Sequence, residues 1–451
     1  MMDNALITMQ EIELARHCIA YAQEQGAQKV RITLNKSLLN LVGVLNGELD
    51  KVSHALDRSI QLQLFVDGRF GTFSSNRLDQ DGLEAFIRSA IDTVRMLEAD
   101  PCRDLPAPER LAQNAQTGQE LCLYDPACEE LTAPQRKQMA LEAAFWPHKA
   151  SAEKGFTLIS EEGEYSDSVF DSVILDSQGL FARHTETSFE IGFESTVEDA
   201  QGNHYSNYWW DASPTHKGLK LADCAREACR RAAAAIGPQP VESFVGNLIV
   251  DSECAGKLVT PLLNALAGHA LQQKNSFLTG SLGKKLFPET LSIVDTPHVP
   301  GETGCRLFDS EGVATRDLPI IENGIVKTYF INTYISRKMK LAPTIEDSSR
   351  IKVLPTGGCV SRDDVLRKVS DGILVTGFNG GNSNPATGNF SYGIEGFLVR
   401  GGRIVHPVRE MLITGDFLSL WNKLLIAAQD ARPCLSKLVP TLAFKDVSFS
   451  A

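Results

Sequence analysis

Apolar residues Ile12, Leu14, Ala15, Cys18, Ile19 and Ala22 recur at helical spacing and predict one amphipathic helix over residues 9–25. The period then changes to two. Residues 30–35 alternate as a strand, as do residues 59–66, where Ile60, Leu62 and Leu64 are separated by Gln61 and Gln63. After an Asp67-Gly68 turn, 70–74 reads as the next strand and 83–97 as a second helix. Pro101, Pro106 and Pro108 then break the pattern, because each removes a backbone donor and favours extended chain. A second stretch follows, with a helix over 134–145, strands over 156–161, 166–176 and 180–197, and a helix over 219–235. Arg226, Arg230 and Arg231 are expected on the solvent side of that last helix.

Gly237-Pro238-Gln239-Pro240 closes this region and sets the main boundary. The expected domains are 1–238, with a sub-boundary near 100–108, and 239–451. Beyond it, 248–250 reads as a short buried strand. Residues 254–273 read as one long helix with Leu258, Leu262, Ala265, Leu266 and Ala270 on one face. Short strands and glycine turns follow, among them Glu322-Asn323-Gly324 and Arg400-Gly401-Gly402-Arg403. No repeat of fixed period is visible. The fold class is α+β: an N-terminal α/β-type region with a mixed sheet and helices, then a strand-rich antiparallel domain with one long helix. The length of 451 residues is consistent with two or three domains at about 150 residues each.

Charge narrows the partners. Asp and Glu number 56 against 44 Lys and Arg, a net charge of -12, which repels a polyphosphate and disfavours direct nucleic-acid binding. The ten cysteines include no Cys-x-x-Cys pair and read as reduced, mostly buried thiols; Cys224 and Cys229 are badly placed to bond each other on a helix. The first nine residues carry Asp3 and no basic run, no apolar leader follows, and no window reaches membrane-spanning length. A cytoplasmic protein without membrane contact is expected. The Asn35-Lys36-Ser37 and Asn389-Phe390-Ser391 glycosylation patterns are then chance matches.

The chemistry visible in the sequence is mostly negative. None of the nine histidines is followed by Glu, and no two lie within ten residues of each other, so the two-histidine zinc helix is absent. There is no Gly-x-Ser-x-Gly elbow. Cys305 and Cys434 have no neighbouring His and read as inert buried thiols. Gly377-Phe378-Asn379-Gly380-Gly381-Asn382 lacks the Gly-Lys-Ser/Thr ending of a phosphate loop and reads as a turn needing positive φ. His269 is either a ligand or proton carrier at a cleft edge or a histidine facing the negative end of a helix dipole. Asp309 and Glu311, followed by Arg316, form either a polar rim for substrate or a solvated turn ending at Gly312.

Several stretches together resemble the PmbA (TldE) branch of the TldD/PmbA family. They are Ser276-Phe277-Leu278, then Leu282-Gly283-Lys284-Lys285-Leu286-Phe287-Pro288, then Phe308-Asp309-Ser310-Glu311-Gly312 and Asn323-Gly324-Ile325. Thr387-Gly388-Asn389-Phe390-Ser391-Tyr392-Gly393 and Gly396-Phe397 complete the set. The resemblance implies a bacterial or archaeal group of zinc-dependent proteases and inactive homologues, also known as modulators of DNA gyrase. Its TldD branch carries a His-Glu-x-x-x-His helix and a further Cys ligand near the C-terminus. Its PmbA branch lacks them and pairs with TldD to process small peptides.

Carried onto this chain, the metal helix corresponds to 254–273, where Thr260-Pro261-Leu262-Leu263-Asn264-Ala265 offers no ligand set. Cys434 is only an echo of the ligand cysteine. The resemblance therefore implies no catalytic residue and no metal in this chain, and zinc in a TldD-like partner with which it forms a heterodimer. A homodimer is the expected assembly in isolation. Substrate peptide is expected to lie as an extended strand along a sheet edge. The candidate cleft residues are Asn264, His269, Asp309, Glu311, Arg316, Gly388, Asn389, Ser391 and Tyr392. Two other readings are a self-sufficient hydrolase with a rearranged site, and a regulator of gyrase through toxin or antitoxin peptides.

Overall fold

The computed structural model describes residues 6–145 and 155–451. The chain divides into two compact units, Met1–Ala233 with His298–Thr315, and Ala234–Pro297 with Arg316–Ala451. The segment His298–Thr315 lies within the domain expected over 239–451, yet it packs with the first unit. Its Gly301 N–H donates to Leu121 O at 2.7 Å and its Ala314 N–H to Arg110 O at 2.9 Å.

The first unit is built on six strands: β1 (Lys29–Leu45), β2 (Glu48–Val66), β3 (Arg69–Ser75), β4 (Phe156–Asp176), β5 (Phe181–Asp199) and β6 (His204–Ser213). Their order is β3-β2-β1-β4-β5-β6. The sheet expected to be mixed is antiparallel throughout, because each neighbouring pair runs in opposite directions. The helix Met9–Glu24 begins at Thr8, whose hydroxyl accepts the Glu11 N–H while Glu11 Oε2 accepts the Thr8 N–H at 2.7 Å. It packs Ile12, Ala15, Ile19 and Ala22 with Leu83, Ile87 and Ile91 of the helix Gln80–Arg95 against Ile32, Leu62 and Leu64 of the sheet. The helix Cys224–Ala234 turns Arg226 and Arg230 to solvent, but Arg231 lies 4.0 Å from the Trp209 ring and pairs with Glu227. Its guanidinium covers the indole face instead of facing water.

Strand β4 carries four buried carboxylates, and three of them are matched to arginines. Asp167 accepts Arg136 Nε at 2.5 Å and Nη2 at 2.9 Å, with Asn40 Nδ2 at 2.8 Å. Asp171 accepts Arg183 Nε at 2.9 Å, Thr185 Oγ1 at 2.9 Å and the Ile7 N–H at 2.8 Å. Asp176 meets Arg31 Nη2 at 3.2 Å and accepts the N–H groups of Gln178 and Leu180. The strand thereby anchors the N-terminal segment, the helix Ala133–Ala143 and the β4–β5 turn.

The second unit contains β7 (Phe244–Val250), β8 (Ile293–Asp295), β9 (Leu318–Glu322), β10 (Ile325–Val326), β11 (Ile351–Val353) and β12 (Gly372–Ser383). It continues with β13 (Asn389–Arg400), β14 (Arg403–Asp416), β15 (Leu424–Ala427), β16 (Lys437–Leu438) and β17 (Leu442–Ser450). Strands in the order β14-β13-β12-β7-β17 close on themselves, because β14 also pairs with β17, and β15 extends β17 outside the ring. A smaller sheet runs β10-β9-β8-β11-β16. The half expected to be antiparallel holds two parallel pairs, β7 with β12 and β11 with β16.

Two more expectations are corrected here. The helix expected over 254–273 is two helices, Gly256–Ala265 and Gly268–Gln272. The chain leaves the helix at Ala267, where ψ is 134°, because Leu266 O accepts the Phe330 N–H at 3.0 Å and the Gly268 N–H donates to Phe330 O at 2.7 Å. The glycine-rich stretch read as a turn at 377–382 belongs to β12. Register shifts there place Gly381 opposite Tyr392, and a Cβ on Gly381 would stand 2.0 Å from Ser391 O. The class remains α+β.

Removing the Asp167 carboxylate would leave Arg136 buried and unpaired. Asp167→Ala is expected to lower stability by about 3–5 kcal/mol, read as a drop in the urea midpoint of the first unit, with Arg136→Leu/Asp167→Leu costing less than the single change.

Candidate functional site

In the second unit the helix Gly256–Ala265 starts from Asp251, at the end of β7. The Asp251 N–H donates to Val375 O at 2.9 Å, its backbone O accepts the Cys254 and Ala255 N–H groups, and its carboxylate accepts Arg362 Nη1 at 2.9 Å. The helix buries Leu258, Val259, Leu262, Leu263 and Ala265. Spacing alone then leaves Lys257 and Asn264 exposed, with Thr260 and Pro261 half-buried between them. This helix is the one that the family resemblance sets against a metal-binding helix.

Beside it lies a row of aromatic rings. Phe277 stacks on Phe417 at 5.9 Å, Phe417 tilts onto Phe390 at 4.9 Å, and Phe390 stacks on Tyr392 at 5.3 Å. Phe378 meets Tyr392 edge-on at 5.7 Å, and Lys257 Nζ sits 5.1 Å from the Tyr392 ring centre. Gly388, at φ +78°, closes the row: a Cβ there would stand 3.0 Å from Phe277 Cγ.

The candidate residues separate on this frame. Tyr392 and Gly388 belong to the aromatic row. Asn389 and Ser391 occupy alternate positions of β13 and are exposed, on the face opposite Phe390 and Tyr392. Asn264 lies on the exposed helix face, and His269 is exposed on the short helix that follows. Arg316 is exposed in the second unit. Asp309 and Glu311 belong to the first unit. Asp309 is buried, and its Oδ1 accepts the N–H groups of Glu311 at 2.9 Å and Val313 at 3.0 Å, so it shapes the turn closed by Gly312. Lys257 and Phe417 went unread, and Phe277 and Phe390 entered only through the family resemblance and not as site residues. The signal for Lys257 was its place seven residues before Asn264 on one helix face.

One thiol in each unit is a poor nucleophile for the same reason. Burial, and then the Asp251 and Glu253 charges, pushes the Cys254 thiol well up, and burial beside Asp167 does the same to Cys128. Among the described residues, which omit His148, no group of three or more His, Cys, Asp or Glu side chains stands together as a metal site. No described helix is long and apolar enough to cross a membrane.

Three regions match domains described as PmbA/TldA metallopeptidase domain 1 (residues 32–93), central domain (128–236) and C-terminal domain (245–451). The chain superposes on a Bacteroides thetaiotaomicron crystal structure described as a modulator of DNA gyrase. The TM-score is 0.92 and the identity 34%, over 99% of this chain and 100% of that one. The chain belongs to the PmbA/TldD family. Escherichia coli O157:H7 metalloprotease PmbA is 26% identical over 434 residues, covering 94% of this chain and 93% of that protein. TldE from Thermococcus kodakarensis, at 19% identity, shares the fold over 97% of this chain with a TM-score of 0.81.

Family membership raises the question of zinc, which takes nitrogen, sulfur or carboxylate ligands. Lys257, Thr260, Pro261 and Asn264 do not supply that set on the exposed helix face. The residues of this helix do not fit the ion.

Alkylation at pH 8 is expected to modify the exposed Cys122 and to spare Cys254, Cys128 and Cys18, all pushed up by burial, Cys18 alone to about 11. Mass spectrometry of the labelled native protein checks this.

Proposed function

We propose that this chain is a non-catalytic, PmbA-type subunit that completes the peptide cleft of a TldD-like zinc metalloprotease in the cytosol. The supporting observation is the exposed face of the helix Gly256–Ala265, where Lys257, Thr260, Pro261 and Asn264 offer no zinc ligand set. A catalytic zinc needs three protein ligands to hold it and to bring its water to a pKa of about 7. The chain contributes shape instead. An extended peptide is held beside the exposed helix face, which Lys257 caps and the buried rings of Phe390, Tyr392 and Phe417 support from within, while the partner supplies the ion and the reacting water. The net charge of -12 favours a peptide over nucleic acid as the bound molecule.

The test is zinc bound per chain after equilibration with zinc and exhaustive dialysis, measured by plasma mass spectrometry. Far less than one equivalent is expected, with no peptide cleavage alone and cleavage on mixing with a TldD-type chain. One tightly held zinc per chain, or chelator-sensitive cleavage by the isolated protein, overturns the proposal.

Lys257→Ala is expected to raise the KM of the mixed complex several-fold with kcat nearly unchanged, since it removes the exposed cation of the helix face beside which the peptide is held.

A further inference from the structure

The sheet of the first unit has a covered face and an open one. Val42, Tyr165 and Ile191 turn toward the helices Ala133–Ala143 and Cys224–Ala234 and pack with Ala140, Ala143, Ala225 and Ala228. The alternate positions of the same strands point the other way. The register arranges them in rows across the sheet. In the first row Glu162 stands opposite Glu194, and Glu194 opposite Tyr208. The middle row runs Gly43, Glu164, Gly192, Trp210. The third sets Ser166 opposite Glu190. These rows line a cavity of about 340 Å³. Glu162, Glu190 and Glu194 are exposed, and so is the Tyr208 ring, at 61%.

The rows differ in chemistry. In the middle row the Lys51 stem lies across Gly43, where a Cβ would stand 2.7 Å from its Cγ, and its Nζ neutralises Glu164 at 3.1 Å. Gly192 leaves bare backbone beside Trp210, so the centre of the face is an alkyl stem, a glycine and an indole. The outer rows carry charge. Glu162 and Glu194 are directly opposed on neighbouring strands, an arrangement that costs stability unless a cation comes between them. Among the described residues none does, because Lys51 is held by Glu164. Glu190 marks the other end of the face, with the Ser188 hydroxyl donating to it at 2.7 Å.

We propose that this face docks an extended peptide carrying lysine or arginine at two positions four residues apart, with an apolar residue midway. Rows of a sheet face recur every two residues, about 6.8 Å, and the alternate side chains of an extended peptide recur at the same distance. A peptide aligned with the strands sets one cation between Glu162 and Glu194, beside the Tyr208 ring. Its apolar residue then meets Gly192 and Trp210, and its second cation reaches Glu190, about 13–14 Å from the first. Charge selects this occupant, because the outer rows attract a basic peptide and repel an acidic one. The neutral middle row gives a compact cation nothing to hold. The inference stands apart from the proposed function, since it concerns binding by the isolated chain and no cleavage step.

Isothermal titration calorimetry of the full chain with acetyl-Lys-Ala-Leu-Ala-Lys-amide tests it. Saturable binding is expected, weakening as salt rises from about 0.05 to 0.5 M. The same peptide with glutamate in place of lysine is expected not to bind. Bringing the lysines two apart, in acetyl-Ala-Lys-Leu-Lys-Ala-amide, is expected to weaken binding about fivefold or more. Glu162→Gln/Glu194→Gln is expected to weaken it about tenfold while raising the urea midpoint, since the opposed charges are gone. Loss of binding with a gain of stability separates docking from misfolding. Trp210→Leu weakens binding several-fold. No saturable binding by wild type, equal affinity for the two lysine spacings, spermine bound as tightly as the peptide, or an affinity indifferent to the double substitution overturns the inference.

Discussion

A carboxylate taken out of water costs several kcal/mol unless arginine and hydrogen-bond donors surround it. Strand β4 meets that requirement at Asp167, Asp171 and Asp176, and the rest of the first unit is arranged by how it is met. Each carboxylate draws in a piece of chain that the sheet would not otherwise hold. Asp171 brings in the N-terminal segment through the Ile7 N–H, Asp167 holds the helix of Arg136, and Asp176 closes the β4–β5 turn. Hydrophobic burial supplies the bulk of the stability, but it is non-directional. The ion pairs decide which segment covers which part of the sheet.

The second unit uses the same device at strand ends. Asp251 closes β7 and pairs with Arg362, and Asp295 closes β8 while accepting the Ser349 and Arg350 N–H groups at 2.9 and 2.7 Å. Asp251 thereby sets where the helix Gly256–Ala265 begins, and so which of its side chains reach the surface. The position of a helix and the chemistry of its exposed face are separable. Packing fixes the first through Leu258, Leu262 and Ala265, while Lys257 and Asn264 are free to differ among relatives without disturbing the core.

Much of this was legible in the sequence, and the misses share physical causes. The first helices, β3, and β1 and β2 over 30–35 and 59–66 follow from side-chain period, since their buried apolar positions face one core. The rest of β1 and β2 was not legible, because Leu39, Leu45, Leu49 and Val52 are exposed there and Val42 and Val44 face a second core. Glycines carry no such signal, so Gly380 and Gly381 hid a strand whose close approach to Ser391 and Tyr392 depends on their missing side chains. The break after Ala265 was hidden as well, because the Phe330 backbone that captures Leu266 and Gly268 is more than sixty residues away. At the candidate site, the run Asn389 to Tyr392 looked like one group of polar and aromatic neighbours. In a strand such neighbours point in opposite directions, and only the aromatic pair joins Phe417 and Phe277.

The closed ring in the second unit is completed by β17, which hydrogen-bonds both β7 and β14. Nearly two hundred residues separate β7 from β17, so the first strand of the ring emerges from the ribosome long before its last neighbour exists. Until then β7 has only its parallel contact with β12, and the apolar lining has no fourth wall. Folding of this unit therefore waits for β17, and the nascent chain depends on delayed collapse or chaperone cover through the interval.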